Sequence, residues 1–223
     1  MSAINQMFDT IAPTYDTLNR VLSLGIDQGW RRKAIAELGD VRGRRVIDLC
    51  AGTLDLTKLA GEAGAKVIAT DFAQNMLERG RGKVDAHTPI VRADAQRLPF
   101  TDGVFAGALC GFGLRNLPDP LQGLKEARRV LQPGARLVVL DFFRPTRTIT
   151  RAVQALYNRQ VLPLVGGLVS GDRAAYRYLA SSIERFSTRE EIETLALQAG
   201  FARARSYELT LGVAALVICE VAS

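Results

Sequence analysis

The sequence has few of the side chains that metal sites and nucleophilic catalysis usually require. Its 223 residues include one histidine, His87, and three cysteines, Cys50, Cys110 and Cys219, each in a separate apolar run. Zinc sites are built from closely spaced histidine and cysteine, so this spacing does not predict a metal site. Isolated thiols in apolar runs indicate a reducing compartment and not a disulfide framework. We therefore expect a cytoplasmic protein without a bound metal.

Long apolar runs and long basic runs are also absent. No stretch reaches the roughly 18 apolar residues of a membrane span, and the first ten residues, MSAINQMFDT, do not have the pattern of a secretory signal. The formal net charge is +6, but the arginines are scattered and form no tail of the kind that binds nucleic acid. We expect no nucleic-acid partner. A basic surface remains compatible with an anionic membrane face or an acidic substrate.

Short apolar runs alternate with helical patterns from residue 44 onward. The runs are rich in Val, Ile, Leu and Phe, which is typical of strands buried on both faces of a parallel sheet. They occupy residues 44–50, 65–71, 88–94, 103–111 and 135–143. The segments between them, 54–64, 73–83 and 120–134, carry apolar residues at helical spacing and end near Gly or Pro. This alternation predicts an α/β fold with a doubly wound sheet.

The length predicts one domain, because 223 residues suffice for one sizeable core and leave two full-size domains cramped. Within it, residues 1–40 are predicted to form an N-terminal helical cap and residues 44–143 a cofactor-binding core. Residues 146–186 are predicted to be a helical lid insertion, placed to roof a pocket at the strand ends. Residues 200–221 contain two strand-like halves that meet near Leu211 and Gly212, as in a hairpin.

The loop after the first predicted strand reads DLCAGTLD at residues 48–55. It brings backbone N–H groups to the carboxyl end of the strand, where open α/β sheets bind ligands. It contains one glycine, Gly52, and not the three of Gly-x-Gly-x-x-Gly that admit a pyrophosphate, so a nicotinamide dinucleotide is disfavoured. A cofactor without phosphates, such as S-adenosylmethionine, fits this loop better.

An acidic residue stands at the end of each of three successive predicted strands. Asp48 ends the first strand, and Asp71 ends the second, where its carboxylate is suited to two ribose hydroxyls. Asp94 and Ala95 follow the third strand, where a carboxylate can accept from an adenine amino group and a small side chain leaves room for the ring. The alternative is that Asp71 and Asp94 only cap the helices that follow. The complete set favours ligand binding.

Several stretches outside this core carry a resemblance to a known family. The chain resembles, almost end to end, the demethylmenaquinone and polyprenyl-benzoquinol C-methyltransferases of menaquinone and ubiquinone biosynthesis. The stretches are FDTIAPTYDTLNRVLSLGIDQGWRR (8–32), VIDLCAGTLDLT (46–57), RADAQRLPF (92–100), GFGLRNLPDP (111–120), GDRAAYRYLASSI (171–183) and ELTLGVAAL (208–216). The resemblance implies the Rossmann-like class I methyltransferase fold, a seven-stranded and mostly parallel sheet with an antiparallel last strand.

The resemblance also implies the cofactor, its binding residues and the reaction. S-adenosylmethionine is expected to bind at Asp48, Gly52 and the family's cofactor positions, which are Thr53, Asp71, Asp94, Ala95 and Gly111 here. The family usually has Ser where this chain has Gly111. The implied reaction is methyl transfer to a ring carbon of a polyprenylated quinol, which requires no metal.

The chemistry of the implied reaction suggests catalytic residues. Arg115 is the candidate for stabilising the phenolate that develops on the quinol, and Asn116 for orienting Arg115 or the substrate. The alternative for Arg115 is an ion pair with a nearby acid such as Asp119. Tyr15 and Asp16 are candidates for a proton relay beside the acceptor, and a buried Tyr that only satisfies its hydroxyl is an equal alternative.

A lipid-tailed substrate also bears on partners. The tract LPLVGGLV at residues 162–169 is either a core helix with a glycine break or a groove for the tail that touches the membrane surface. Transient contact with the inner face of the membrane, and a homodimer, stay open.

Two residues of the loop depart from the pattern Asp-x-Gly-x-Gly-x-Gly of this fold. Cys50 and Leu54 replace the first and third glycines. Leu54 is expected to crowd the methionine moiety and to strain a left-handed backbone, unless it has helical angles and turns towards the core. Two hypotheses follow. One is an active methyltransferase acting on a quinol or on another phenol, and the other is a cofactor-poor paralogue that binds quinones or forms complexes.

Overall fold

The computed structural model describes Arg20, Ser23 and residues 25–146 and 181–223. These residues contain a seven-stranded sheet with the strand order β3-β2-β1-β4-β5-β7-β6. The strands are β1 (Arg45–Leu49), β2 (Lys66–Asp71), β3 (Ile90–Arg92), β4 (Phe105–Gly111), β5 (Leu131–Asp141), β6 (Arg203–Leu209) and β7 (Ala214–Glu220).

The pairing of the strands confirms the predicted fold class. Strands β1 to β5 run parallel to one another, while β7 lies antiparallel between β5 and β6. Sequential strands run outward from β1 to β3, and the chain then returns to place β4 on the other side of β1. The carboxyl ends of β1 and β4 therefore flank the switch point at which sheets of this kind bind ligands.

Five α-helices lie wholly within the described ranges and accompany the sheet. They are α1 (Asp27–Glu37), α2 (Asp55–Glu62), α3 (Gln74–Gly80), α4 (Pro120–Val130) and α5 (Arg189–Gln198). Helix α4 begins after Asp119, whose carboxylate accepts from Gln122 N at 3.1 Å, with Pro120 in the first turn. Helix α5 begins with a capping box between Thr188 and Glu191. The sequence analysis did not predict α5, although Thr-x-x-Glu before an apolar pattern is its signal.

One predicted boundary was wrong. The helix expected over 120–134 ends at Val130, and strand β5 begins at Leu131 instead of near residue 135. Pro133 has no N–H to continue a helix, and Gly134 has a φ of +72°, which a helix does not accommodate. Strand β5 therefore begins before Pro133 and Gly134 and includes both residues.

The sheet is buried on both faces, as the uninterrupted apolar runs predicted. Neighbouring residues of one strand enter different cores: Ile47 packs with α4 and α5, whereas Val46 packs with α1 and α2. Burying each such side chain contributes about 1.5–3 kcal/mol. Both cores leave the carboxyl edge of the sheet to the loops that follow the strands.

The described residues cover the predicted segments unequally. The core at 44–143 and the strands at 200–221 lie entirely within the described ranges, whereas most of the N-terminal cap precedes residue 25. The predicted lid at 146–186, with the tract 162–169, lies largely outside the described residues. The described residues therefore include the core that is expected to bind the cofactor, and they leave out most of the predicted cap and lid.

Candidate cofactor site

A cavity of about 330 Å³ opens at the carboxyl edge of the sheet. Its walls come from the loops after four neighbouring strands: Cys50 and Gly52 after β1; Asp71, Phe72, Ala73 and Met76 after β2; Ala93, Asp94, Ala95 and Gln96 after β3; and Gly111, Phe112, Gly113, Asn116, Leu117 and Pro118 at the end of β4. The cavity thus collects Gly52, Asp71, Asp94, Ala95, Gly111 and Asn116 from the predicted set. Asp48, Thr53 and Arg115 are not among its walls.

Asp71 connects two of these loops through its carboxylate. One oxygen accepts from Gly52 N and the other from Ala73 N, each at 2.8 Å. These bonds hold the loop after β1 against the end of β2 and the start of α3. A carboxylate has about four acceptor sites, so this geometry is compatible with ribose hydroxyls at the same group.

Asp94 closes a turn and lines the cavity, and no helix directly follows it in the described range for its carboxylate to cap. Its carboxylate accepts from Gln96 N at 2.8 Å, which closes a turn, and Asp94 also lines the cavity beside the buried Ala95. Gln96 in turn accepts from Asp119 N at 2.9 Å. The loop after β3 is therefore anchored to the start of α4, and the carboxylate is held at the cavity wall.

The loop after β1 contains left-handed residues at alternate positions. Cys50, Gly52 and Leu54 have φ values of +52°, +53° and +67°. The strain expected at Leu54 is therefore present, since a non-glycine residue in this region costs about 1–2 kcal/mol.

The expected crowding by Leu54 is absent. The side chain is 0% exposed, packs with Ala69 and Leu77, and is not a wall of the cavity. The alternatives considered from the sequence were a left-handed residue facing the cofactor or a helical residue facing the core. The structure combines the left-handed backbone with the side chain in the core, because burial offsets the strain.

Asp48 lies beneath the loop and supports it. Its carboxylate accepts from the Thr57 hydroxyl at 2.6 Å, and its backbone carbonyl accepts from the Thr70 hydroxyl at 3.1 Å. The other carboxylate oxygen is buried and has no hydrogen-bond partner among the described residues. Burial raises the pKa of Asp48 to about 7, although Thr57 and the Arg31 charge oppose the increase.

The thiol of Cys50 occupies the base of the cavity. A hydrogen bond with the Cys110 thiol, together with burial, raises the pKa of Cys50 well above its usual range, so the thiol stays protonated and weakly nucleophilic. The larger side chain is accommodated by Gly113, since a Cβ there would lie 2.2 Å from the Cys50 Cβ. At Gly111, a Cβ would lie 2.4 Å from a methyl group of Leu56. A Ser at this position therefore requires Leu56 to move.

Arg115 lies on the short 3₁₀ turn after β4, and its side chain is buried. The guanidinium donates to the Asp141 carboxylate and to the Phe112 carbonyl, the latter at 2.8 Å, and lies over the Phe142 ring. The ion pair is buried, with the two side chains 5% and 0% exposed. The partner is Asp141 and not Asp119, which caps α4 instead.

The other predicted catalytic residues are Asn116, Tyr15 and Asp16. Asn116 is a wall of the cavity and donates to the Phe112 carbonyl at 3.1 Å. The sequence analysis missed Asp141, although it ends β5 as Asp48, Asp71 and Asp94 end or follow their strands. Tyr15 and Asp16 lie outside the described residues.

The described ranges contain neither a metal-binding cluster nor a membrane-spanning helix. No group of three or more His, Cys, Asp or Glu side chains there is arranged to hold a metal ion. Among the described helices, none is long and apolar enough to cross a bilayer.

Comparison with known proteins places the cavity in context. Residues 2–220 match the ubiE/COQ5 methyltransferase family. A demethylmenaquinone methyltransferase of Thermus thermophilus is 45% identical over 215 residues, covering 94% of this chain and 97% of the relative. The demethylmenaquinone methyltransferase of Deinococcus radiodurans is 44% identical over 219 residues, covering 96% and 90%.

Solved structures show the same fold at low identity. A methyltransferase from Thermotoga maritima, described as S-adenosylmethionine-dependent and as a possible histamine N-methyltransferase, has a TM-score of 0.69 at 19% identity and covers 96% of this chain and 98% of its own. The [4+2]-cyclase SpnF has a TM-score of 0.72 at 15% identity, covering 98% and 96%. The second example shows that this fold alone does not define the reaction.

The left-handed backbone at Leu54 predicts an inverted order of stability for two variants. Leu54→Ala and Leu54→Gly both remove the buried side chain, which should lower the free energy of unfolding by about 2–5 kcal/mol. Only Gly relieves the backbone strain, so Leu54→Ala should be the less stable of the two by about 1 kcal/mol. Urea denaturation measures the difference. Leu77, in the same cluster but on helix α3, is the control. There, Ala should be more stable than Gly by about 1 kcal/mol, and the same order at Leu54 would contradict the assigned geometry.

The buried carboxyl of Asp48 predicts a pH dependence of stability. The folded pKa of Asp48, about 7, exceeds the ordinary value of 3.8. The stabilisation that comes from binding this proton in the folded state is therefore fully present below pH 3.8, and it is lost as the pH rises to about 7. The free energy of unfolding should fall relative to Asp48→Asn across this window, by up to about 1.4 kcal/mol per pH unit. Denaturation of both proteins at several pH values checks this, and parallel curves would exclude a raised pKa.

Proposed function

Because the chain belongs to the ubiE/COQ5 methyltransferase family, we propose that it transfers the methyl group of S-adenosylmethionine to a ring carbon of a demethylmenaquinol. The observation that carries the proposal is the cavity at the switch point, which gathers Gly52, Asp71, Asp94, Ala95 and Gly111. The near full-length identity to two demethylmenaquinone methyltransferases supports a naphthoquinol as acceptor.

The residues present fit S-adenosylmethionine part by part. Asp71, Phe72, Asp94 and Ala95 line the cavity. In the proposed complex, Asp94 accepts from the adenine amino group between the apolar walls Ala95 and Phe72, and Asp71 accepts from the ribose hydroxyls. The methionine moiety is expected to extend over Gly52 and Cys50 towards Gly111. When bound, the cofactor supplies a methyl group that its sulfonium has already activated.

The geometry removes the reason for proposing a cofactor-poor paralogue. That hypothesis depended on Leu54 filling the methionine site, and the structure instead buries Leu54 against Ala69 and Leu77. The acceptor set at the strand ends also remains intact around the cavity. Both observations favour the active methyltransferase.

The chemistry assigns an electrostatic role to the turn after β4. A quinol carbon ortho to a hydroxyl becomes nucleophilic as the hydroxyl loses its proton, so the protein must stabilise a developing phenolate. We assign this role to Arg115, whose guanidinium is fixed by Asp141 and the Phe112 carbonyl and therefore needs little reorganisation. Asn116, at the cavity wall, is assigned to orient the acceptor. Tyr15 and Asp16 remain the proposed proton relay.

The remaining parts of the proposal concern the substrate's tail. A polyprenylated quinol resides in a membrane, so we propose transient contact of a cytoplasmic enzyme with the anionic inner face, supported by the net charge of +6. Residues 1–40 and 146–186 are proposed to enclose the acceptor within a single domain. A homodimer remains a prediction from the sequence.

Product analysis tests the proposed function. Purified protein with S-adenosylmethionine and a chemically reduced, short-tailed demethylmenaquinol should yield the C-methylated quinol and S-adenosylhomocysteine, detected by mass spectrometry. Asp71→Asn, which alters the ribose acceptor, should weaken cofactor binding and reduce the rate. No product from a protein that binds S-adenosylhomocysteine would contradict the acceptor, and a benzoquinol methylated in preference would redefine it.

Arg115 is tested by removing its charge. Arg115→Met should lower turnover by about 10²–10³, the usual effect of losing a transition-state donor, while S-adenosylhomocysteine affinity stays within about threefold. Because removing one partner of a buried ion pair costs about 3–5 kcal/mol, the matched control is Arg115→Met with Asp141→Asn, which removes both charges. Full turnover in a folded double variant would restrict Arg115 to a structural role.

A further inference from the structure

A buried guanidinium lies beside the cavity with most of its donors unused. Arg31, on helix α1, is 6% exposed, and its Nε donates to the Asp27 carboxylate at 3.2 Å. Its Nη2 is 3.8 Å from the Asp55 carboxylate, too far for a hydrogen bond. Among the residues that the structure describes, neither Nη1 nor Nη2 of Arg31 donates a hydrogen bond. Neither nitrogen is among the fully buried atoms that lack a partner, so both retain accessible surface at which a ligand can accept their hydrogen bonds.

The Arg31 guanidinium lies close to two residues that line the cofactor cavity, although Arg31 is not itself among the walls. Its Nη1 is 3.8 Å from the position that a Cβ on Gly111 would occupy, and its Cζ is 5.2 Å from the centre of the Phe112 ring. Gly111 and Phe112 are both cavity walls. On its other side, Asp55 opens helix α2 directly after the left-handed loop. The cation therefore stands between the end of β4 and the start of α2.

The order of the strands fixes which part of the cofactor approaches this cation. Strands β3, β2, β1 and β4 are consecutive neighbours in the sheet, so adenine at Asp94 and ribose at Asp71 direct the methionine moiety across β1 towards β4. The moiety ends in an α-carboxylate, and a guanidinium is the side chain best matched to a carboxylate. Asp55 competes weakly, because Lys83 Nζ already pairs with it at 2.7 Å.

We infer that Arg31 binds the α-carboxylate of S-adenosylmethionine through its Nη1 and Nη2 groups, an inference that rests on the proposed function. Arg31 is then a cofactor-binding residue contributed by the N-terminal helix. The competing role is purely structural: the ion pairs with Asp27 and Asp55 join α1 to α2. The two roles differ in one measurable respect, since only carboxylate binding distinguishes a cofactor that has the carboxylate from one that lacks it.

Calorimetry with S-adenosylmethionine and decarboxylated S-adenosylmethionine tests the inference. The native protein should bind S-adenosylmethionine more tightly by about tenfold or more, the value of a charge-assisted hydrogen bond. Arg31→Met should reduce this preference to within about threefold by weakening S-adenosylmethionine alone. Arg32→Met, at the exposed neighbouring position, should keep the native preference.

Each contrary outcome has a defined meaning. Equal affinities in the native protein, an unchanged preference in Arg31→Met, or an equal loss for both ligands would overturn the carboxylate assignment and leave Arg31 structural. If Arg31→Met does not fold, Arg31→Lys decides, because a shorter point charge should give an intermediate preference. A native protein that binds neither S-adenosylmethionine nor S-adenosylhomocysteine at millimolar concentration would instead refute the proposed function.

Discussion

The site depends on the carboxylate of Asp71, which holds two loops in fixed positions. It accepts from Gly52 N and Ala73 N at 2.8 Å each, and so joins the loop after β1 to the start of α3. Hydrogen bonds to a carboxylate contribute about 1.5–3 kcal/mol each, which helps a loop with left-handed residues at Cys50 and Leu54 to keep one conformation. The carboxylate that orders the loop is therefore also the proposed acceptor for the ribose hydroxyls.

The packing around this loop explains how a sequence with one glycine forms a turn that usually contains three. Leu54 adopts the backbone angles expected of glycine and compensates by burying its side chain against Leu77. Cys50 is accommodated because Gly113 has no Cβ. The departures from the glycine pattern are thus matched by neighbouring residues, and the cavity remains open.

Much of the fold and part of the site follow from the sequence alone. Uninterrupted apolar runs predicted the buried parallel strands. Of the three acids at strand ends, Asp71 and Asp94 meet at the cavity because the ends of parallel strands share one edge, whereas Asp48 is buried beneath the loop. The side-chain direction of Leu54 did not follow, since it depends on Leu77, more than twenty positions away in the chain. The Arg115–Asp141 pair and the position of Arg31 beside Gly111 likewise arise from contacts between distant segments, which local patterns do not encode.

A crystal structure of the complex with S-adenosylhomocysteine tests the central claim most directly. The account predicts the ribose hydroxyls within hydrogen-bond distance of Asp71, the adenine amino group at Asp94, and Leu54 still left-handed and packed on Leu77. A ligand whose adenosine lies elsewhere, or a Leu54 side chain turned into the cavity, would contradict it.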